Sequence, residues 1–161
     1  MAWTNPRTWL AQEQVTAALL NTHLRDNLNA LPRGILGYAQ VTVTQSGVDA
    51  TVTDITGLLV GVTVGSSRRI RVSAYVTVRD SGSGSITTQV YLREGSTTLG
   101  QWQIGNLDAL EFASGSPSVV LTPTAGSHTY KVSLSAGSNT VNMIASSGMP
   151  AYLLIEDIGP A

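Results

Sequence analysis

The strongest constraint on this chain is a change of hydrophobic period near "LPRG", Leu31 to Gly34. Before that point apolar residues recur every three or four positions, as on one face of a helix. From Gly37 onward they recur at every second position, as on one face of a strand. The run "RIRVSAYVTV" is the clearest case. It places Ile70, Val72, Ala74, Val76 and Val78 on one face and Arg69, Arg71, Ser73, Tyr75 and Thr77 on the other. The segments "AQVTV", "LLVGVTV", "ITTQVYL", "WQI", "SVVLT", "TYKVSLS", "TVNMIA" and "AYLLIED" repeat the pattern. Turn clusters such as "DSGSGS", "EGST", "ASGSPS", "TAGS" and "AGSN" separate several of them. Eight or nine short strands at this spacing predict a mainly β chain, an antiparallel sandwich or jelly roll. The chain divides into residues 1–34, an extended arm and one helix, and residues 35–161, the β-domain.

The helix is expected from Thr16 to about Leu31. Thr16 is a good N-cap, Val15 and Leu20 stand at the positions of a hydrophobic staple, and Pro32 with Gly34 stops the run. Leu20, Leu24, Leu28 and Leu31 form one apolar stripe from which Arg25, Asp26 and Asn29 fall away. A helix of roughly 16 residues is marginal in water by itself, so the stripe needs a partner. That partner is either its own β-domain or further copies of the helix. A heptad frame through Ala17, Leu20, Leu24, Asn27 and Leu31 fits the second case, with Asn27 as the single polar position that sets register and strand number.

Ahead of the helix, "AWTNPRTW" has neither helical nor strand period. Trp3, Pro6, Arg7 and Trp9 have the composition of an interface anchor, because indole buries a large area and keeps a donor to satisfy. The alternative is that the tryptophans cover the base of their own domain.

Residues that carry chemistry are sparse. His23 on the helix and His128 in "GSHTY" lack partners at metal-ligand spacing, so a helix-surface His and a turn His are expected. Asp108 and Glu111 stand three apart in "NLDALEF" and can be drawn as an acid pair, as in glycoside hydrolysis, or equally as the solvated charges of one loop. "DSGSGS" precedes neither a helix nor a Lys, and no Gly-x-Ser-x-Gly elbow is present. Asp49 and Asp54 lack the dense spacing of a calcium loop. No enzyme activity, cofactor or metal is expected.

Only 12% of the residues are charged, the net charge is −1, and the eight Arg and single Lys are scattered except at Arg68, Arg69 and Arg71. That triplet reads as a solvated strand edge or an intersubunit ion-pair partner, and nucleic acid is not an expected ligand. Cysteine is absent, which excludes disulfides and thiolate metal sites. Neither a signal peptide nor a run of ~18 apolar residues is found, so a soluble protein made in the cytosol, without membrane contact, is expected.

The opening "AWTNPRTWLAQEQVTAALLNTHLRDNLNAL" resembles the N-terminal segment of many tailed-phage virion proteins, especially of phages infecting actinobacteria. There a Trp-Thr-x-Pro-Arg-x-Trp start leads into a Thr-Ala-x-x-x-Asn-x-x-x-Arg-Asp-Asn helix. Gln12 and Glu13 stand where that family often has Gly-Glu. The stretches "GYAQVTVTQ", "DITGLLVGVTV", "RRIRVSAYV" and "PAYLLIEDIGPA" resemble the C-terminal TNF-like jelly roll of the same group, which is usually trimeric. Together the two resemblances span nearly the whole chain.

The resemblance implies a homotrimeric virion structural protein whose N-terminal segment attaches it to the particle, with the β-domain on the exterior surface. Trp3, Pro6, Arg7 and Trp9 are the expected docking residues, and Leu20, Leu24, Asn27, Leu28 and Leu31 the expected contacts between helices. A helix of this length reaches only about 24 Å. A short stalk with a knob fits a capsid decoration protein or short head fibre on the major capsid protein. The alternative is a minor tail or baseplate protein bound to tail proteins, whose β-domain recognises a host glycan or surface protein through exposed loop aromatics.

Overall fold

The structure is a computed structural model and describes residues 7–81, 86–108 and 110–161, residues 106 and 107 by their backbone alone. The helix, α1, covers residues 17–30. Thr16 Oγ1 accepts from the Leu19 amide at 3.3 Å, the expected N-cap. Ala17–Leu20 and Asp26–Ala30 are α-helical, whereas Asn21–Arg25 widens into a π-helical turn that the leucine spacing does not reveal. The helix ends one residue earlier than expected. Leu31 is extended, with φ −69° and ψ 147°, because Pro32 crowds the helical conformation of the residue before it.

Among the described residues eleven strands follow: β1 Gly34–Val41, β2 Gln45–Val48, β3 Thr53–Val64, β4 Arg68–Asp80, β5 Ile86–Glu94, β6 Thr97–Leu107, β7 Phe112–Gly115, β8 Ser118–Leu121, β9 Gly126–Ala136, β10 Val141–Ile144 and β11 Ala151–Pro160. All nine expected runs are strands. β2 and β7 were not expected; their sequences, "QSGV" and "FASG", are too rich in Gly and Ser to show a strand period. Pairing holds them in place, β2 on β10 and β7 on Val76–Arg79 of β4.

β4 is the spine of the first sheet. Along one edge it pairs β11 through Arg68–Tyr75 and β10 through Thr77–Asp80; along the other it pairs β8 and then β7. β1 lies beyond β11. The second sheet has the order β3-β9-β5-β6. Counting β7 with β8 and β10 with β11 as interrupted single strands, and β2 as an added edge, the chain crosses between the sheets as an antiparallel jelly roll.

The core lies between the sheets. Ile70, Val72, Ala74, Val76 and Val78 are all buried, as their alternation requires, and meet Val132, Leu134, Val90, Leu153 and Ile155 in one apolar cluster. Thr77 departs from the expected solvent face. It is only 3% exposed, and its hydroxyl lies 2.8 Å from Ser114 Oγ of the unforeseen β7.

β1 crosses the end of β3 closely enough to demand glycine. A Cβ on Gly37 would stand 2.4 Å from Val60 Cγ1 and 2.8 Å from Val62 Cγ1. The substitution Gly37→Ala is expected to lower unfolding free energy by about 1–3 kcal/mol, the usual cost of overpacking, with the loss read from chemical denaturation midpoints at constant m.

Candidate functional site

The stalk is built where β4 starts. Alternation puts Arg68 in phase with Ile70, on the inward side, and Asp157 in phase with Ile155. Both are buried, at 4% exposure each. Arg68 Nε donates to Asp157 Oδ2 at 2.8 Å and Nη2 to Oδ1 at 2.6 Å, a bidentate pair. The remaining face of the guanidinium serves the helix. Nη1 donates to the Asn29 carbonyl and Nη2 to the Leu31 carbonyl, each at 2.6 Å. Helix C-termini leave carbonyls unpaired and carry partial negative charge, so a cation placed there satisfies both needs.

This corrects the expectation of a solvated edge or intersubunit pair at Arg68; Arg69 and Arg71 alone face solvent. Burial raises the Asp157 carboxyl, but the Arg68 hydrogen bond, the Gly159 amide and the charges of Arg68 and Arg33 outweigh it and hold it below the ordinary value.

The clamp grips only the C-terminal end of α1, where Ala30 is buried. Further up, the leucine stripe is not covered by the β-domain. Leu20 and Leu31 remain 44% exposed, Leu24 55% and Leu28 59%. Asn27 differs from the heptad expectation. It is buried against its own chain, and its Nδ2 donates to the His23 carbonyl at 3.3 Å.

The described part of the arm is not simply extended. Gln12 has φ 67° and the Glu13 amide donates to the Leu10 carbonyl, which makes a turn. Arg7 pairs with Glu13 and stands 5.4 Å over the Trp9 ring; Trp9 meets the edge of His23 at 6.5 Å. Arg7, Trp9 and the four leucines line one groove of about 480 Å³. Arg7 and Trp9, expected to dock, and the leucines expected at helix contacts thus share a surface. Trp3 and Pro6 lie outside the described residues.

A second surface was not foreseen. Tyr38 on β1, Tyr152 on β11 and Tyr75 on β4 stack in a row across the outer face of the first sheet, with centroids 6.0 Å apart. Strand register fixes the row, since Tyr152 is directly opposite Gln40 and Tyr75. Around it stand Ile35, Val120, Ser73, Ser118 and Ser114, and Arg71 faces Glu156 at 3.8 Å. Period-two spacing already put Tyr75 outward; what the sequence did not show was which strands would be neighbours. The other sheet carries Asp54 outward, at 2.6 Å from both Lys131 and the buried Ser133.

Glu111 accepts from the Asp108 amide at 3.0 Å, and both residues are exposed. Of the aromatics considered for a loop ligand, Trp102 packs against the core, and Phe112 lies under Arg79 at 5.5 Å. Among the described residues no three His, Asp or Glu converge as metal ligands. No described helix is long and apolar enough to cross a membrane.

The chain matches no family model and no curated protein. Among solved structures it is similar to the Eiger TNF of S. frugiperda, at 13% identity and TM-score 0.42 over 79% of this chain and 95% of that one. It is also similar to a CBM35 from Cellvibrio japonicus Abf62, at 12% identity and TM-score 0.34 over 78% and 100%. A third similarity is to the infectious bursal disease virus Gx strain structure, at 11% identity and TM-score 0.36 over 77% of this chain and 38% of that one. Strand order and register carry the jelly-roll assignment.

The clamp makes two measurable statements. Replacing Asp157 with Asn strands the buried Arg68 charge and is expected to cost about 3–5 kcal/mol, while making residues 17–30 accessible to limited proteolysis. Because the folded Asp157 pKa is depressed, its contribution is full above the unfolded value of about 3.9 and disappears as pH falls through the lower folded value. Acid denaturation of the parent and of Asp157→Asn, followed by circular dichroism, should therefore converge at the lowest pH.

Proposed function

We propose that this chain is a non-enzymatic structural protein of a tailed-phage virion, a homotrimer that decorates the exterior of the head and stabilises the shell. The observation that carries the reading is the leucine stripe. A clamp fixes the end of the helix, yet the β-domain leaves Leu20, Leu24, Leu28 and Leu31 about half exposed. Monomers rarely leave a contiguous apolar patch of this kind without a partner.

The tyrosine face supports the same reading. Two of its charged residues, Arg71 and Glu156, already face each other, and the third, Arg69, donates to the Pro160 carbonyl, so a second copy meets mainly aromatic, hydroxyl and aliphatic groups. The resemblance of the opening residues to virion attachment segments supplies the setting. Trp3, Pro6, Arg7 and Trp9 dock the arm to the major capsid protein, and the helix and the tyrosine face gather three copies.

Native mass spectrometry at micromolar concentration is expected to give a trimer. The substitution Leu24→Glu puts three carboxylates against an apolar seam and should raise the dissociation constant by at least about a hundredfold. Particles stripped of the protein should release DNA at a lower temperature. A monomer across the micromolar range, with no change in DNA release, would contradict the reading.

A further inference from the structure

The stalk-side end of the sandwich holds a charged cluster with no part in the surfaces above. β3 ends at Val64, which pairs with Gly126, and the next turn leads to Arg68 and the clamp. At this end His128 and Tyr130 of β9, together with Glu94 of β5, continue the inward-facing register. His128 is therefore not a turn residue without a partner. Its Nδ1 lies 2.6 Å from Glu94 Oε1, and its Nε2 lies 2.8 Å from the carbonyl of Thr124.

Both neighbours accept hydrogen bonds only. A neutral imidazole has one N–H, so one of its nitrogens would turn a lone pair toward an acceptor; only the imidazolium satisfies both. We propose that His128, Glu94 and the Thr124 carbonyl form a protonation-dependent latch that holds the β8–β9 loop, residues 122–125, over the end of the core.

Two features make the latch bistable. When closed, it covers Tyr130, whose ring stacks on His128 at 6.1 Å and 9° and whose buried hydroxyl has no partner among the described residues. Opening lets water reach that hydroxyl, so the closed state carries a cost that the two imidazolium contacts offset better than the single hydrogen bond a neutral imidazole keeps. The surroundings isolate the switch. Arg93 and Lys131, next in sequence to Glu94 and Tyr130, turn to Asp54 on the outer face. The facing β3 residues, Gly61, Val62 and Thr63, and the loop residues Thr122, Pro123, Thr124 and Ala125 carry no charge. Burial, with the charge of Glu94 added, pushes the Tyr130 phenol up to about 12, so it stays neutral while His128 titrates.

The direction of the pH dependence follows. The Glu94 hydrogen bond raises the His128 pKa, burial opposes it, and the Thr124 carbonyl and the Glu94 charge add to the rise. A raised folded value means that the latch contributes fully below the unfolded pKa of about 6.5 and is lost as pH climbs through the folded value.

The test is a proton NMR titration of the His128 ring in the full chain, with amide hydrogen exchange of residues 125–127 measured across the same range. The latch requires a midpoint above about 6.5 and a fall in protection of at least about tenfold, beyond the intrinsic rise in exchange, as the proton leaves. Glu94→Gln should lower the midpoint, and His128→Gln should abolish the pH-dependent step while leaving the Asp54–Lys131 end of the sheet intact. A midpoint at or below the ordinary value, or protection unchanged through it, overturns the latch. Because these readouts do not involve oligomeric state, they fail or succeed independently of the virion reading.

Discussion

The buried pair of Arg68 and Asp157 decides what the rest of the molecule can present. A buried ion pair of this kind adds little net stability over a well-packed apolar pair, because both charges lose their water. Its consequence here is positional. Asp157 takes two of the guanidinium donors, and the others reach the carbonyls of Asn29 and Leu31, so the helix end, the start of β4 and the end of β11 are held at one point. The Ala161 amide bonded to the Ser67 carbonyl at 2.9 Å closes the same junction. A helix too short to be stable alone is thereby attached at its last turn, and its leucine face is left open.

The open face and the tyrosine row differ in chemistry. The stripe is aliphatic, with Arg7 already paired to Glu13 beside it; the sheet face is aromatic and hydroxyl-rich, with its ion pair internal. Burying either one desolvates few groups that lack a partner. The proposed trimer uses both, with the arm as the attachment to the particle. Arg7 and Trp9 line the same groove as the leucines, so the proposed docking of the arm and the proposed association of the helices would use neighbouring surfaces of one groove.

Alternation made most of the β-domain legible in the sequence, because a residue's face in a strand depends only on its parity. It assigned the β4 core positions and put Arg69 and Arg71 outward. The same parity contained the clamp, since Arg68 is in phase with Ile70 and Asp157 with Ile155, but a charged residue at a strand end is ordinarily solvated and the partner lies 89 residues away. His128 and Glu94 were hidden for the same reason, as inward-phased polar residues at strand ends. The row of Tyr38, Tyr152 and Tyr75 needed the strand order, which no local pattern encodes. β2 and β7 needed it too, because their Gly and Ser residues form strands only where a neighbour supplies the pairing. The leucine stripe was plain in the spacing; that the β-domain leaves it open depends on where Arg68 holds the helix.

Imaging purified virions with a gold-labelled antibody against the β-domain tests the central claim most directly. Capsid decoration predicts label distributed over the head. Label confined to the tail tip, or particles without label, would contradict it.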